Sequence, residues 1–218
     1  MIKLIAFFKR KPGMEVEEFQ RYWRTAHAAR VLLVPELRRY VQNHTLLSVY
    51  RHREPVYDAV AEAWFDDIEA LRELTEAPEF SAVRADEPNF IDLDTLGSIV
   101  TDEHVIVDGE IPTDGVKNIS FLRRKPDLPV EQFQKYWRET HGPIAAEIPG
   151  LKRYVQSHTR ENGATPGYDG VPITWFASTD AMRRAEKSPE YARTRADEAH
   201  FLAPDPLPFV IAKEYVIL

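Results

Sequence analysis

His141, Tyr154, Gln156 and His158 are polar side chains at spacings suited to moving protons. His141 closes an apolar stripe of Val130, Phe133 and Trp137 that recurs at helical spacing. The C-terminal end of a helix favours an imidazolium, whereas apolar surroundings disfavour it. These opposed influences can hold a histidine near neutrality, the condition for shuttling protons. The same position would also suit a histidine that caps the last helical carbonyls and fills core space. Tyr154, Gln156 and His158 alternate along a strand-like run and therefore share one face. In a sheet buried on both sides, such a row lines a wet pocket or sits at a rim. Tyr154 could donate a hydrogen bond to a substrate carbonyl or enolate, or be anchored by its hydroxyl at a sheet edge. His158 ends the run and is expected at a solvent-exposed rim.

The chain writes this phrase twice. "EFQRYWRTAHAARVLLVPELRRYVQNHT" precedes "QFQKYWRETHGPIAAEIPGLKRYVQSHT", so His27, Tyr40 and His44 stand where the second copy has His141, Tyr154 and His158. "YDAVAEAWF" then matches "YDGVPITWF", "PEFSAVRADEPNF" matches "PEYARTRADEAHF", and "EHVIV" matches "EYVIL". The Gly-, Pro- and Asp-rich stretch 108–115 reads as a linker between repeats at 1–107 and 116–218. Each repeat opens with a short apolar run of strand length, followed by the histidine-bearing helix. The Tyr-Gln-His strand, a loop and a "WF" strand come next. Second helices are expected at 68–76 and 179–187, then a helical turn over "RADE" and a closing strand. The order β-α-β-β-α-β is ferredoxin-like, with both helices on one face of an antiparallel sheet. A lone repeat would leave its other sheet face bare. Two ferredoxin-like βαββαβ repeats can bury those faces together, so the expected class is α+β, with the antiparallel sheets closing one α+β barrel within the chain.

The copies differ where chemistry would sit. His141 is followed by Gly-Pro, and Pro143 is expected to stop the helix; His27 is followed by two alanines, so its helix should run on. One face of the first strand keeps Lys, Ile and Phe in both copies. The other face is Leu4, Ala6 and Phe8 in the first copy but Asn118, Ser120 and Leu122 in the second. If that face looks into the barrel, the second copy has a polar pocket and the first a greasy one, with the working site in the second half. Trp175 could wall a flat substrate or simply pack in the core. Asp197 could orient a histidine, or sit at a solvated helix end paired with arginine. The Gly- and Pro-rich stretch 159–172 suits either a mobile lid or a plain surface connection.

Composition excludes several function classes. The 218 residues carry a formal net charge of -7 and no cysteine. The charge argues against nucleic-acid binding, and the missing thiols remove disulfides, thiolate metal sites and a cysteine nucleophile. No long apolar run, signal-peptide pattern, phosphate-cradling glycine loop, Gly-x-Ser-x-Gly elbow or metal-binding histidine pattern appears, so a cytoplasmic protein with neither metal nor cofactor is expected.

"YWRETHGP" after "KP…VEQF", followed by "PGLKRYVQ", resembles the EthD family of dimeric α+β barrel proteins, and both repeats match over most of their length. The resemblance implies a pocket between sheet and helices in each half and cofactor-free chemistry on a small cyclic, aromatic or lactone compound. It also implies His141 and Tyr154 facing that pocket. His141 would be the general acid/base and Tyr154 would polarise an oxygen. Asn118, Ser120, Tyr136, Trp137, Gln156, His158, Trp175 and Asp197 would surround the substrate. A lyase, isomerase or cyclase is expected. The alternatives are a non-catalytic binding protein, a cofactor-independent oxygenase, or a haem protein, since other duplicated barrels hold haem on a helix histidine. Tandem fusion makes a monomer sufficient, and a homodimer of whole barrels is the other expected state.

Overall fold

A computed structural model describes residues 1–74, 76–160 and 167–218. The segment considered as a lid lies partly outside the described residues, at 161–166. The chain divides into two compact units, Met1–Thr101 with Glu214–Leu218, and Asp102–Lys213.

The first unit opens with β1 (Ile2–Arg10), whose residues are buried on both faces, as the near-continuous apolar run requires. The histidine-bearing helix follows in three pieces: α1 (Val16–Tyr22), a π-helical turn (Trp23–His27) and α2 (Ala28–Val31). Glu17 and Glu18 lie in its first turn, where carboxylates complement the helix dipole. Then come β2 (Arg39–Thr45), the short α3 (Leu47–Tyr50), β3 (Ala59–Phe65), α4 (Ile68–Leu74), α5 (Pro78–Asp86) and β4 (Ile91–Val107). The second unit repeats the order: β5 (Val116–Ser120), α6 (Val130–Tyr136), a π-turn (Trp137–His141), α7 (Gly142–Ala146), β6 (Leu151–Thr159), β7 (Gly170–Phe176), α8 (Thr179–Ala185), α9 (Pro189–Asp197) and β8 (Phe209–Val216). The strands pair in the order β1-β3-β2-β8-β5-β7-β6-β4, a closed barrel. The α+β class and the ferredoxin-like order of each repeat stand as read from sequence.

Two expectations about helices are corrected. Pro143 does not stop its helix: α7 continues to Ala146, as α2 continues past His27. The π-turn resets the hydrogen-bond ladder, with the Gly142 amide reaching the Trp137 carbonyl five residues back. Pro143 then falls in the first turn of the next segment, where a missing N–H leaves no bond unmade. The "RADE" segments are not isolated turns. Each supplies the last residues of α5 or α9, and its glutamate begins a 3-10 turn (Glu87–Asn89, Glu198–His200).

The stripe residues Phe19 and Trp23, like Phe133 and Trp137, are at most 1% exposed. Truncating any of them to alanine should cost about 3–5 kcal/mol. They pack against the sheet face that carries Leu4, Ala6 and Phe8 in β1, or Asn118 and Ser120 in β5. That face therefore looks toward the helices and not into the barrel. Lys3, Ile5 and Phe7 occupy the opposite face and are buried as well.

Candidate active site

In the second unit a cavity of about 380 Å³ lies between the sheet and its helices, with His141, Tyr154, Asn118, Ser120 and Glu198 in its wall. Register explains part of the grouping. Tyr154 pairs with Thr174 across β6 and β7, and Thr174 pairs with Asn118 across β7 and β5. The three side chains therefore form one polar row on the helix-facing side. Asn118 Oδ1 is buried and has no hydrogen-bond partner among the described residues. An acceptor left this way is open to a donor from water or from a ligand in the cavity.

His141 is 6% exposed and does not cap helical carbonyls. Its Nδ1 lies 2.8 Å from Asp197 Oδ2, at the end of α9, while Tyr136 donates its hydroxyl to Oδ1 of the same carboxylate at 2.8 Å. Burial pushes Asp197 up, but the hydrogen bonds from His141 and Tyr136 outweigh it and leave it ionised below the usual range. Burial pulls the imidazole below 6.5, and the Asp197 bond only partly restores it. At neutral pH the ring is thus neutral, with its proton on Nδ1 facing Asp197 and a lone pair on Nε2. Asp197 acts on His141 as an orienting partner, and its expected pairing with arginine does not form: Arg195 holds Glu198 instead, at 2.7 Å.

The hydrogen on Tyr154 can be placed by elimination. The Trp137 carbonyl can only accept, so the Gln156 nitrogen 2.8 Å away is the amide NH₂. That nitrogen also donates to the Tyr154 hydroxyl at 3.0 Å, and Trp137 Nε1 donates to the same oxygen at 3.2 Å. With both lone pairs of its oxygen engaged, Tyr154 has its own hydrogen left to donate, and Tyr154 lines the cavity. Burial raises its pKa strongly, so it is a neutral donor and not a phenolate. The Gln156 carbonyl then faces His158, whose Nε2 donates to it at 2.9 Å.

His158 is not at a rim. It is 2% exposed and stacked on Trp137, with ring centroids 4.5 Å apart. The strand end is covered by the π-turn, which the helical pattern did not reveal. Trp175 is also misplaced by the sequence reading. Strand parity turns Thr174 toward the cavity and Trp175 away, under Lys117 at 4.7 Å. Tyr136, Gln156, His158 and Asp197 stand behind the wall and hold the side chains that form it.

The EthD domain matches the chain twice, at residues 11–94 and 125–205. This chain belongs to the EthD family. No curated protein matches its sequence. Among solved structures, an anthrone oxidase-like protein superposes with a TM-score of 0.65 at 12% identity, covering 99% of this chain and 92% of the other. A candidate monooxygenase from Fusobacterium nucleatum also gives 0.65 at 12% identity, over 99% and 93%. A candidate chlorite dismutase gives 0.59 at 11%, over 98% and 94%. At these identities the likeness is one of fold. Among the described residues, no helix is long and apolar enough to cross a membrane.

Sequence reasoning missed several wall residues of this EthD site, Thr174, Tyr191, Thr194 and Glu198 among them. Glu198 lines the cavity, and burial lifts its carboxyl to about 7 despite Arg195 beside it. It lies immediately after Asp197, where the 3-10 turn swings it to a different side from its neighbour. Its retention in both copies of "RADE" was the available signal. The wall does not fit a haem, whose apolar faces would lie against the amide and hydroxyl row of Asn118, Thr174 and Tyr154.

The first unit keeps the same proton-handling groups. His27 Nδ1 meets Asp86 at 2.9 Å, Tyr22 donates to Asp86 at 2.7 Å, and Trp23 and Gln42 both donate to Tyr40. His44 stacks on Trp23 and bonds Gln42. The cavity there is only about 110 Å³.

Proposed function

We propose that this EthD protein is an enzyme that moves protons on a small cyclic, aromatic or lactone metabolite, with its working site in the second half. The observation that carries the proposal is the His141–Asp197 pair at the wall of the polar cavity that Tyr154 also lines. His141 Nε2 takes a proton from carbon or oxygen next to a carbonyl. Tyr154 donates to the oxygen where negative charge develops, as electrostatic stabilisation requires. Asn118 and Ser120 orient the substrate's polar groups, and Glu198 returns a proton at a second position. These steps suffice for an isomerase, a cyclase or a lyase without a cofactor. A void of ~150 Å³ holds a benzene-sized ring, so this cavity has room for roughly two fused rings.

A second reading shares the first step. The same deprotonated substrate would react directly with dioxygen, and the oxidase-like and monooxygenase names of two structural relatives favour it.

The test is a thermal-shift screen of lactones, hydroxyquinones and phenolic acids, followed by turnover in wild type and His141→Ala. A ligand that stabilises both proteins while turnover is confined to wild type supports the enzyme reading. Turnover unchanged in His141→Ala overturns it. Oxygen uptake matched to substrate loss would select the oxygenase reading.

A further inference from the structure

The second unit contains a further cavity, of about 230 Å³, between two short segments. Residues 121–123 run on from β5, and residues 203–208 lead into β8. Backbone bonds of 2.9 Å clamp the segments at both ends, from the Phe121 amide to the Pro208 carbonyl and from the Ala203 amide to the Arg123 carbonyl. Between the clamps, Pro204 and Pro206 have no N–H to donate, so the segments part and leave a gap. Alternation turns Leu122 toward the helix-side cavity, and Phe121 and Arg123 toward this one. In the first copy the matching stretch, 92–97, stays within β4, and the Lys9 amide donates to Thr95 Oγ1 at 2.9 Å.

We propose that this cavity is a ligand site separate from the one that His141 lines, and that it takes a small zwitterion of the amino-acid class. Such a ligand carries an ammonium and a carboxylate on a short body with one apolar group. The buried ring of Phe121, with Pro206 and Leu207, supplies apolar walls. The volume exceeds the void of ~150 Å³ that holds a benzene-sized ring, so one ring fits with its charged end at the opening. Arg123 and Asp205 line the same cavity and are both exposed. Among the described residues neither forms an ion pair, although their charges are opposite. Each is held in place by something else. The Arg123 guanidinium lies over the Tyr168 ring, 5.3 Å from its centroid. Asp205 stands between Pro204 and Pro206, which restrict its backbone on both sides. A cation and an anion kept apart in this way suit a ligand that brings the complementary pair. Lys9, at the place of Arg123 in the first copy, is instead paired with Glu54 at 3.4 Å.

The site does not rest on the chemistry proposed for His141, and the test keeps the two apart. The cavities share Pro206 and Leu207 but no alanine: Ala203 lines this one, Ala145 and Ala185 the other. The full chain, labelled at alanine methyls, is titrated with phenylalanine, 3-phenylpropanoate and 2-phenylethylamine. The last two each lack one of the charges. Phenylalanine is expected to shift Ala203 saturably. Each analogue should bind roughly two- to fivefold more weakly, the range of one solvent-exposed ion pair. Arg123→Gln should abolish the preference over 2-phenylethylamine, and Asp205→Asn the preference over 3-phenylpropanoate. Both positions are exposed, so neither change disturbs the core. No saturable shift at Ala203, or larger shifts at Ala145 and Ala185, would overturn the proposal. So would equal binding of the three compounds by wild type, or a preference that survives the substitution meant to remove it.

Discussion

His141 and Glu198 share one cavity wall and are displaced in opposite directions, the imidazole below 6.5 and the carboxyl up to about 7. A base must be deprotonated and an acid protonated, so kcat/KM should rise with pH through the lowered histidine value and fall again through about 7. The expected profile is a bell with its maximum below neutrality. Glu198→Gln should remove the alkaline limb and keep the acid one; an alkaline limb that survives would assign it to another group. Asp197 acts only through His141. In Asp197→Asn the amide can donate to Nδ1 and shift the ring proton to Nε2, so kcat should fall about 10²–10⁴-fold, the range of a general base, with KM and thermal stability much less affected. Tyr154→Phe should act on stability too. It leaves the Trp137 and Gln156 donors without their buried acceptor, at about 1–3 kcal/mol in urea unfolding.

Among the elements, the π-turn has the largest consequences for the site. It lets the Trp137 carbonyl accept both the Gly142 amide and the Gln156 side chain, which fixes the orientation of Gln156 and hence of Tyr154. The Trp137 ring also leans on Gly170 at the start of β7, where an added Cβ would fall 2.4 Å from ring atom Cζ3. The first unit accommodates an alanine there, Ala59, with its tryptophan tilted 29° to the stacked histidine instead of 13°. Gly170→Ala should push Trp137 toward that tilt and cost about 1–3 kcal/mol, measured by urea unfolding, because the ring is fully buried. Apolar periods and turn residues made the repeat, the strand order and the polarity difference of the first strands legible in the sequence. The π-turn was not, because one skipped hydrogen bond leaves the stripe of Phe133, Trp137 and His141 unchanged as a pattern. Trp175 was misread because alternation gives two faces without saying which one meets the helices. Glu198 was passed over because a 3-10 turn follows neither the helical nor the strand period.

For the whole molecule, burial holds His44 and His158 at about 3, with the nearby charge of Arg24 adding to the first and those of His104 and Arg138 to the second. The unfolded chain titrates them near 6.5, so below that pH it binds protons that the fold refuses. Stability should therefore fall from about pH 6.5 toward pH 3, at up to about 1.4 kcal/mol per pH unit for each histidine. Glu198 opposes this between 4.5 and about 7, since its raised carboxyl takes up a proton earlier in the fold than in the unfolded chain. Two histidines outweigh one glutamate, so the decline persists and steepens below about 4.5. Urea titrations at pH 7, 6, 5 and 4 should show it. The pair His44→Gln and His158→Gln should flatten the slope by about two protons.

The covalent joining of the repeats bears on inheritance as much as on folding. In a barrel assembled from two identical chains, every codon change is written into both cavities at once, and an improvement in one must be tolerated by the other. Here Thr174 and Ala63 are separate codons at equivalent places in the sheet. Each half can be altered without consulting its twin, so an engineer could redesign one cavity with the other kept as an internal control.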